Sequence, residues 1–534
     1  MTQLEKLLSK MENSKSIFEH MRKNASVDIL SLFKKGKTVQ ACDFVESNQV
    51  SSFISSENVF PGLYKKQGNK ALKGVPLTKL VTGKRIAVLF SGGPAAGGHN
   101  VVAGIFDVLG TKNSLFGIKN GPKGLLEESL VKLTETDISN VFNLGGFDLL
   151  GSDRTKIKSK EQIECVIQTV KRYCLDAIII IGGDDSNTNA AFLAEALLPY
   201  GCTVVGVPKT IDGDLQYSHY LPISFGFDTA TKIYSELVGN ILQDTPSSRK
   251  YWHFVKLMGR SASHVALEVA LQTKPHICLI SEEIHSKKTS LKELVTYCCD
   301  IIKNRASKGK NYGVVLIPEG LIESIPELHT LINELNQSAV LSHASKSLFD
   351  SLPLSQLSVK RDSHGNIEVS QIPTELLLIE MIKANLDESD AEIKFSANHH
   401  FFGYEGRCGA PSLFDASYTY NLGLLAGSLA LNEQTGYMAS ISNLNTGGEA
   451  VAIPIPALIE QEVRQGKTEF VIKKSLVELN SPAFKYFNSE RDKWAGDDYF
   501  SSPGPRQYSG DYAKQLPFTV ALNQNFSSIN FLFD

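Results

Sequence analysis

The sequence predicts an α/β protein: two units of parallel sheet with crossover helices, a helical insertion in the second unit and an N-terminal helical extension. Three observations predict it. Apolar runs at Ile86 to Phe90, Ala177 to Ile181 and Thr203 to Val207 each lead into a turn rich in glycine or aspartate. Helical periodicity follows the first two turns, and similar runs recur from Trp252 onward. Buried strand, tight turn, helix and next strand is the pattern of a parallel sheet, whose connections must cross over its faces.

Residues 1–80 read as the extension. Leu4, Leu7, Leu8 and Met11 fall at helical spacing, and Ile29, Leu30, Leu32 and Phe33 suggest a second helix. The first α/β unit spans 81–227, with later segments returning to it. Its first strand ends in SGGPAAGGHN (91–100) before a helix through Val101, Val102, Ile105, Phe106 and Leu109. Its second ends in GGDDSNT (182–188) before a helix through Ala190, Leu193, Ala194 and Leu197, and its third runs into PKTIDGD (208–214). All three loops leave carboxyl ends of strands, where such sheets bind ligands.

The second unit covers 228–320 and 396–470, with strands Trp252 to Leu257, Ile277 to Ser281 and Val314 to Ile317, the last ending in PEG (318–320). Residues 321–395 carry helical spacing at Leu328, Leu331, Ile332 and Leu335 and a hairpin-like turn, DSHGN (362–366), so they read as an inserted, mostly helical subdomain. A long helix from Ser412 to Leu431 and strands near 436–441 and 449–453 follow. Residues 471–534 form a C-terminal segment that reads as loop from about 480.

Bulk properties bound the function. The 534 residues are 42% hydrophobic and 21% charged, ordinary globular composition. A formal net charge of -3 argues against nucleic acid as partner. No apolar run approaches a membrane span, and the charged N-terminus lacks a signal-peptide core. The eight cysteines form no CxxC pair, so reduced, buried thiols and a cytoplasmic location are expected.

The chemistry sits in the loops. SGGPAAGG at a strand end, followed by a helix N-terminus, offers backbone N–H groups to an anion, although many such turns are glycine-rich for steric reasons alone. It is neither a Walker loop nor GxGxxG. In GGDDSNTNA, Asp184 and Asp185 cannot both face an anionic ligand without a cation between them. A divalent ion with oxygen ligands would resolve this, and helix N-capping is the alternative use of the same residues. Lys209 in PKTIDGD is a point charge for a phosphate, while Asp212 and Asp214, two apart, could divide proton abstraction and metal support between them.

Together GGDDSNTNA, PKTIDGD, MGRSASH (258–264), PEG (318–320) and GYEGRCG (403–409) resemble, in order and context, the phosphofructokinase family and its long, pyrophosphate-dependent branch. The resemblance runs from about Lys84 to Ile453. It implies two Rossmann-like three-layer domains of the phosphofructokinase fold. It also implies reversible, Mg2+-dependent phosphoryl transfer from pyrophosphate to fructose 6-phosphate. By it, Asp212 is the general base and Asp184 the magnesium ligand; Gly92 is the glycine whose amide meets the diphosphate, and Arg154 contacts the transferred group. Thr210 and Ile211 line the sugar site with Asp212. Met258, Gly259, Arg260, Glu319, Tyr404, Glu405, Gly406 and Arg407 form the fructose 6-phosphate pocket. Lys250 and Tyr251 reach a neighbouring subunit's site, which implies a homodimer or higher homo-oligomer with shared active sites.

Asp185 and Lys209 replace the glycines of ATP-using relatives. Asp185 would fill the nucleotide's space and oppose its α-phosphate, while Lys209 would neutralise the far phosphate of a diphosphate. A simple Asp185–Lys209 ion pair would close the same space. Two departures stand out: Pro94 and Ala95 lie where relatives carry an aspartate, and the usual sugar-phosphate arginine has only Lys394, Asn398, His399 and His400 as candidates. An ATP-dependent enzyme and a non-catalytic regulatory subunit are the rival readings. A lipid or NAD kinase shares a GGD turn but has no place for the other motifs.

Overall fold

The structure, a computed structural model, describes residues 16–336, 342–346, 373–388, 393–464, 467–510, 513 and 515–524. At its centre three predicted strands lie side by side and parallel: Arg85–Ser91, Ala177–Gly182 and Thr203–Thr210. Val88 and Val205 both pair with Ile179, so the carboxyl ends of all three strands reach one edge together. Nearly every residue of these strands is buried, as their Ile/Val-rich runs require when helices cover both faces. Strand Tyr437–Ser442 extends the sheet in parallel beyond Thr203–Thr210, and Glu449–Pro454, Lys70–Pro76 and Cys42–Gln49 add to it antiparallel.

The N-terminal extension therefore contributes strands as well as helices. Residues 29–33 form only the short 3-10 turn Ser31–Phe33, with Phe33 buried, because a cluster of apolar residues this short does not distinguish a helix from a packed turn. The Leu4 to Met11 periodicity lies outside the described residues.

A second sheet of four parallel strands runs Ile277–Cys278, Gly313–Pro318, Trp252–Leu257, Ala397–Phe402. The grouping of 396–470 with this unit holds only at its start. Beyond strand Ala397–Phe402, helix Leu413–Leu431 and the strands after it pack on the first sheet. The cause is a close helix crossing: Leu413–Leu431 lies on Gly98–Leu109 with Gly423 against the Val101 carbonyl and Gly104 against the Tyr420 carbonyl, too near for any Cβ. The described part of the insertion is helical, Leu321–Ser324, Pro326–Asn336 and Thr374–Asp387, around buried Leu328, Leu331, Leu377, Leu378 and Ile382. The DSHGN turn lies outside the described residues.

The C-terminal segment is not loop throughout, although 497–510 has no regular element. It continues from the hairpin Ile459–Arg464 and Lys467–Ile472 into helices Pro482–Gly496 and Phe518–Asn523, with Phe484, Phe487 and Trp494 buried. Phe484, Phe487 and Trp494, read as loop composition, share one face of a helix. All eight cysteines are free, but Cys165 and Cys174 are exposed rather than buried. Among the described residues no helix is long and apolar enough to cross a membrane.

Candidate active site

The parallel register brings SGG, GGDD and PKTIDGD to one edge, and the second sheet turns its own carboxyl ends toward them. At the first loop, Gly92 takes φ +82, a conformation that favours glycine. Its N–H donates to the Asp153 carbonyl at 2.9 Å and its carbonyl accepts from the Ser152 hydroxyl at 2.6 Å. The expectation that this amide meets a diphosphate is therefore corrected: neighbouring backbone already uses it. A Cβ there would sit in ordinary contact, 3.7 Å from the Lys209 Nζ, so the backbone conformation rather than crowding calls for glycine. A Cβ on Gly93 would come within 2.5 Å of the Arg407 guanidinium, so this glycine admits Arg407 to the loop.

At the second loop, helix Asp184–Leu197 is capped by Gly183 without a side-chain hydrogen bond. Asp184 and Asp185 are thus not caps. They occupy the first turn, where the helix dipole favours carboxylates. Burial, then the charges of Asp185 and Asp214, push the Asp184 carboxyl up, and Lys474 opposes them. Asp185 pairs with Lys156, Oδ1 to Nζ 3.0 Å. Lys209 is buried: burial lowers it to about 8, Asp212 and Asp184 pull it up, and Arg407 and Arg154 push it down. Two predicted acids and two predicted arginines therefore surround it.

At the third loop, Thr210 Oγ1 donates to Asp214 Oδ1 at 3.2 Å and accepts the Asp212 N–H at 3.1 Å, which fixes the turn around Gly213. Ile211 is 7% exposed within the core, so its side chain serves packing rather than the sugar. Burial and Glu319 raise the Asp212 carboxyl, against Arg260, Lys474 and Lys209. Burial and then Asp212 raise Asp214.

From the second unit, strand Trp252–Leu257 ends at Met258, Gly259 and Arg260. The Gly259 N–H donates to buried Glu319 at 2.9 Å, and exposed Arg260 faces the acids Asp212, Glu319 and Glu323. In Tyr404–Arg407 the Glu405 carboxylate accepts the Gly403 N–H at 2.8 Å, and Gly406 rests on the Tyr234 ring, whose hydroxyl donates to the Gly403 carbonyl at 2.5 Å. Tyr404 is 70% exposed, with the Arg407 guanidinium 5.0 Å from its ring centroid. Arg407, expected in the sugar pocket, thus lies between that pocket and the glycine loop. Lys250 and Tyr251 are exposed at the amino end of Trp252–Leu257. A six-residue strand separates them from Met258, roughly 20 Å at about 3.3 Å per residue. Within one chain they do not join the site. Among the sugar-phosphate candidates, His400 hydrogen-bonds and stacks on His253, ring nitrogens 2.9 Å apart, while Lys394, Asn398 and His399 are exposed.

One residue of the site carried no sequence signal. Lys474 Nζ lies 3.8 Å from Asp184 Oδ2 and 4.0 Å from Asp214 Oδ2, and donates to Ser261 Oγ at 2.6 Å.

Among the described residues no three His, Cys, Asp or Glu side chains form a metal cage. The donor set does fit Mg2+ of the kind held by one or two carboxylates and completed by substrate phosphates. Asp184 is a half-buried carboxylate whose ionised form loses solvation, as a cation ligand at such a site would be.

Comparison with known proteins agrees with this geometry. The Phosphofructokinase family model matches residues 85–430. A pyrophosphate–fructose 6-phosphate 1-phosphotransferase of Entamoeba histolytica is 44% identical over 85% of this chain and 90% of its own length. One of Treponema pallidum is 46% identical over 80% and 81%, and the β subunit of that enzyme from Solanum tuberosum is 45% identical over 82% of each. Among solved structures, a pyrophosphate-dependent phosphofructokinase from Nitrosospira multiformis superposes with TM-score 0.52 at 17% identity, covering 80% of this chain and 96% of that one. That level of identity bears on the fold alone. With the motif loops gathered at one sheet edge and the family match covering most of the chain, this protein belongs to the phosphofructokinase family.

Proposed function

We propose that the chain catalyses reversible, Mg2+-dependent transfer of a phosphoryl group from pyrophosphate to the 1-hydroxyl of fructose 6-phosphate. The observation that carries this reading is Lys209: a buried ammonium at the diphosphate end of the cleft, between Asp184 and Asp212 and beside Arg154 and Arg407. The names of relatives 44–46% identical point the same way.

In this reading Asp212 takes the proton of the sugar 1-hydroxyl as that oxygen forms its bond to phosphorus. The bond from phosphorus to the bridging oxygen breaks, and inorganic phosphate leaves with the electron pair. A carboxyl pushed up by burial and by Glu319 is a stronger base than a solvated aspartate, which suits it to this step. Lys209, Arg154 and Arg407 neutralise charge on the donor oxygens, in a transfer that depends mainly on positioning and electrostatics. Arg260, Glu319 and the Tyr404–Arg407 turn hold the sugar, with Gly259 fixed by Glu319. Asp184, with Asp214 behind it, would hold Mg2+, which would supply charge neutralisation to the donor phosphates.

The donor preference follows from bulk and charge. Asp185 and Lys156, joined at 3.0 Å, stand at the helix N-terminus beside the donor loop and occupy space that a nucleoside would need. The Asp185 carboxylate repels an α-phosphate: like charges 4 Å apart at an effective dielectric near 20 oppose each other by about 4 kcal/mol before screening. Pyrophosphate, lacking base and ribose, avoids both costs.

Lys250 and Tyr251, exposed at the far end of their strand, belong in this reading to a partner subunit's sugar site, in a homodimer or larger assembly. A cytoplasmic enzyme of sugar-phosphate metabolism, with 81–227 as the diphosphate unit and 228–320 as the sugar unit, completes the proposal. The test is direct. Purified protein with Mg2+, fructose 6-phosphate and pyrophosphate should release phosphate and form fructose 1,6-bisphosphate, and chelation of Mg2+ should stop it. Absence of product at saturating substrates would sink the reading.

A further inference from the structure

Building on that reading, we infer that Lys474 is a further donor-site residue, whose ammonium binds the phosphates of the diphosphate opposite Lys209. Lys474 comes from the C-terminal part of the chain, beyond the segment that carries the family motifs. It stands at the meeting point of both units: 3.8 Å from Asp184 and 4.0 Å from Asp214 on the first, and 2.6 Å from the Ser261 hydroxyl on the second. Its charge also bears on Asp212 and Glu323. On the acidic side of the cleft Lys474 stands with Arg260, which acts on Asp212, Glu319 and Glu323, while Arg154 and Arg407 act on Lys209 and Lys156 pairs with Asp185.

The backbone shows that this position is built. Residues 472–477 form a strap stitched to both units in alternation. The Ile472 N–H donates to Thr188 Oγ1 at 2.9 Å, the Lys473 N–H to the Leu458 carbonyl at 3.0 Å and the Ser475 N–H to the Asp214 carbonyl at 2.8 Å. On the other unit, the Ser475 carbonyl meets His264 Nε2 at 3.0 Å, and the Val477 N–H donates to Glu282 at 3.0 Å. Adjacent Lys473 shows the contrast: it turns outward to Glu460 and the Phe53 ring.

Both contacts to carboxylates are long for ion pairs, and Ser261 is the shorter partner. The ammonium is therefore held beside the carboxylates without being sealed by them. It stays within reach of an anion that a cation at Asp184 would bridge. A diphosphate entering there would have Lys209 on one side and Lys474 on the other, so its charge would be met from both faces. A nucleotide's adenosine would have to leave past the strap.

The experiment uses the full-length protein and the variants Lys474→Met and Lys474→Arg, with pyrophosphate as donor. Loss of a charge-assisted contact to a phosphate predicts a fall in kcat/KM for pyrophosphate of about 100-fold in Lys474→Met, with Lys474→Arg recovering a tenth or more of the parent value. Fructose 6-phosphate binding, measured by calorimetry without donor, should stay within about twofold, and Tm should move little, which a merely structural lysine at the unit junction would not allow. An active parent with Lys474→Met within threefold of it would overturn the assignment and leave the proposed function standing. Equal losses of sugar binding and donor efficiency in both variants would also overturn it. A parent inactive with pyrophosphate would remove the proposed function and this inference together.

Discussion

Asp212 and Lys209 are three residues apart, and burial moves both toward neutrality, the acid up and the base down to about 8. In the proposed mechanism each shift has a consequence for rate. Asp212 must be ionised to accept a proton, so kcat/KM for pyrophosphate should fall on acidification from a pH above the usual aspartate range. Lys209 must be charged to hold the donor, so the same parameter should fall as pH rises through about 8 in the free enzyme. Lys209→Arg should move that alkaline limb out of the measured range, because a guanidinium does not titrate there; an unchanged limb would separate it from Lys209. Asp212→Ala should lower kcat by at least about 10³-fold while fructose 6-phosphate still binds, as calorimetry without donor would show. These two residues were legible because a motif spells them. Lys474 was not: a lysine after an amphipathic strand looks like any solvated charge until the strap places it. Gly92 was half legible, since the loop demanded glycine, but only the structure shows its amide given to Asp153.

At the scale of elements, the junction of helices Phe227–Ser248 and Leu413–Leu431 governs how the two units meet. Asp415 accepts from the Gly226 N–H at 3.2 Å and from the Thr229 N–H at 2.8 Å, beside Asp228, which is held by Lys232 at 2.8 Å. Burial, then Asp228, raises the Asp415 carboxyl to about 7. The folded state thus retains a proton that the unfolded chain gives up near pH 4. This contribution to stability is whole below about pH 4 and is lost as pH rises to about 7, by about 1.4 kcal/mol for each pH unit in that window. Asp415→Asn should therefore gain Tm relative to the parent between pH 5 and pH 8; a gap that does not change with pH would contradict the assignment. The helix crossing makes a second prediction. Gly423→Ala drives a methyl into the Val101 carbonyl and should cost on the order of 1–3 kcal/mol, read by denaturant titration. The period of helix Leu413–Leu431 announced the helix but not its partner, because 17 of its 19 residues are buried and no polar face orients it. Hence its assignment to the wrong sheet.

For the whole molecule, the two α/β units and their facing loop edges were legible because parallel strands force both the connection and the ligand edge. The antiparallel additions from 42–49 and 70–76 were not: mixed polar strands at a sheet margin carry weak alternation. In the proposed reading the assembled cleft has one central property, a donor end that Asp185 and Lys156 would close to nucleosides and Lys209 would charge for two phosphates. Its most direct test is kcat/KM for pyrophosphate and for ATP, measured side by side with saturating fructose 6-phosphate and Mg2+, on the parent and on Asp185→Gly. The account predicts turnover with pyrophosphate and almost none with ATP in the parent, and a gain in ATP use with a loss in pyrophosphate use in the variant. Efficient ATP turnover by the parent, or a variant that gains none, would contradict it.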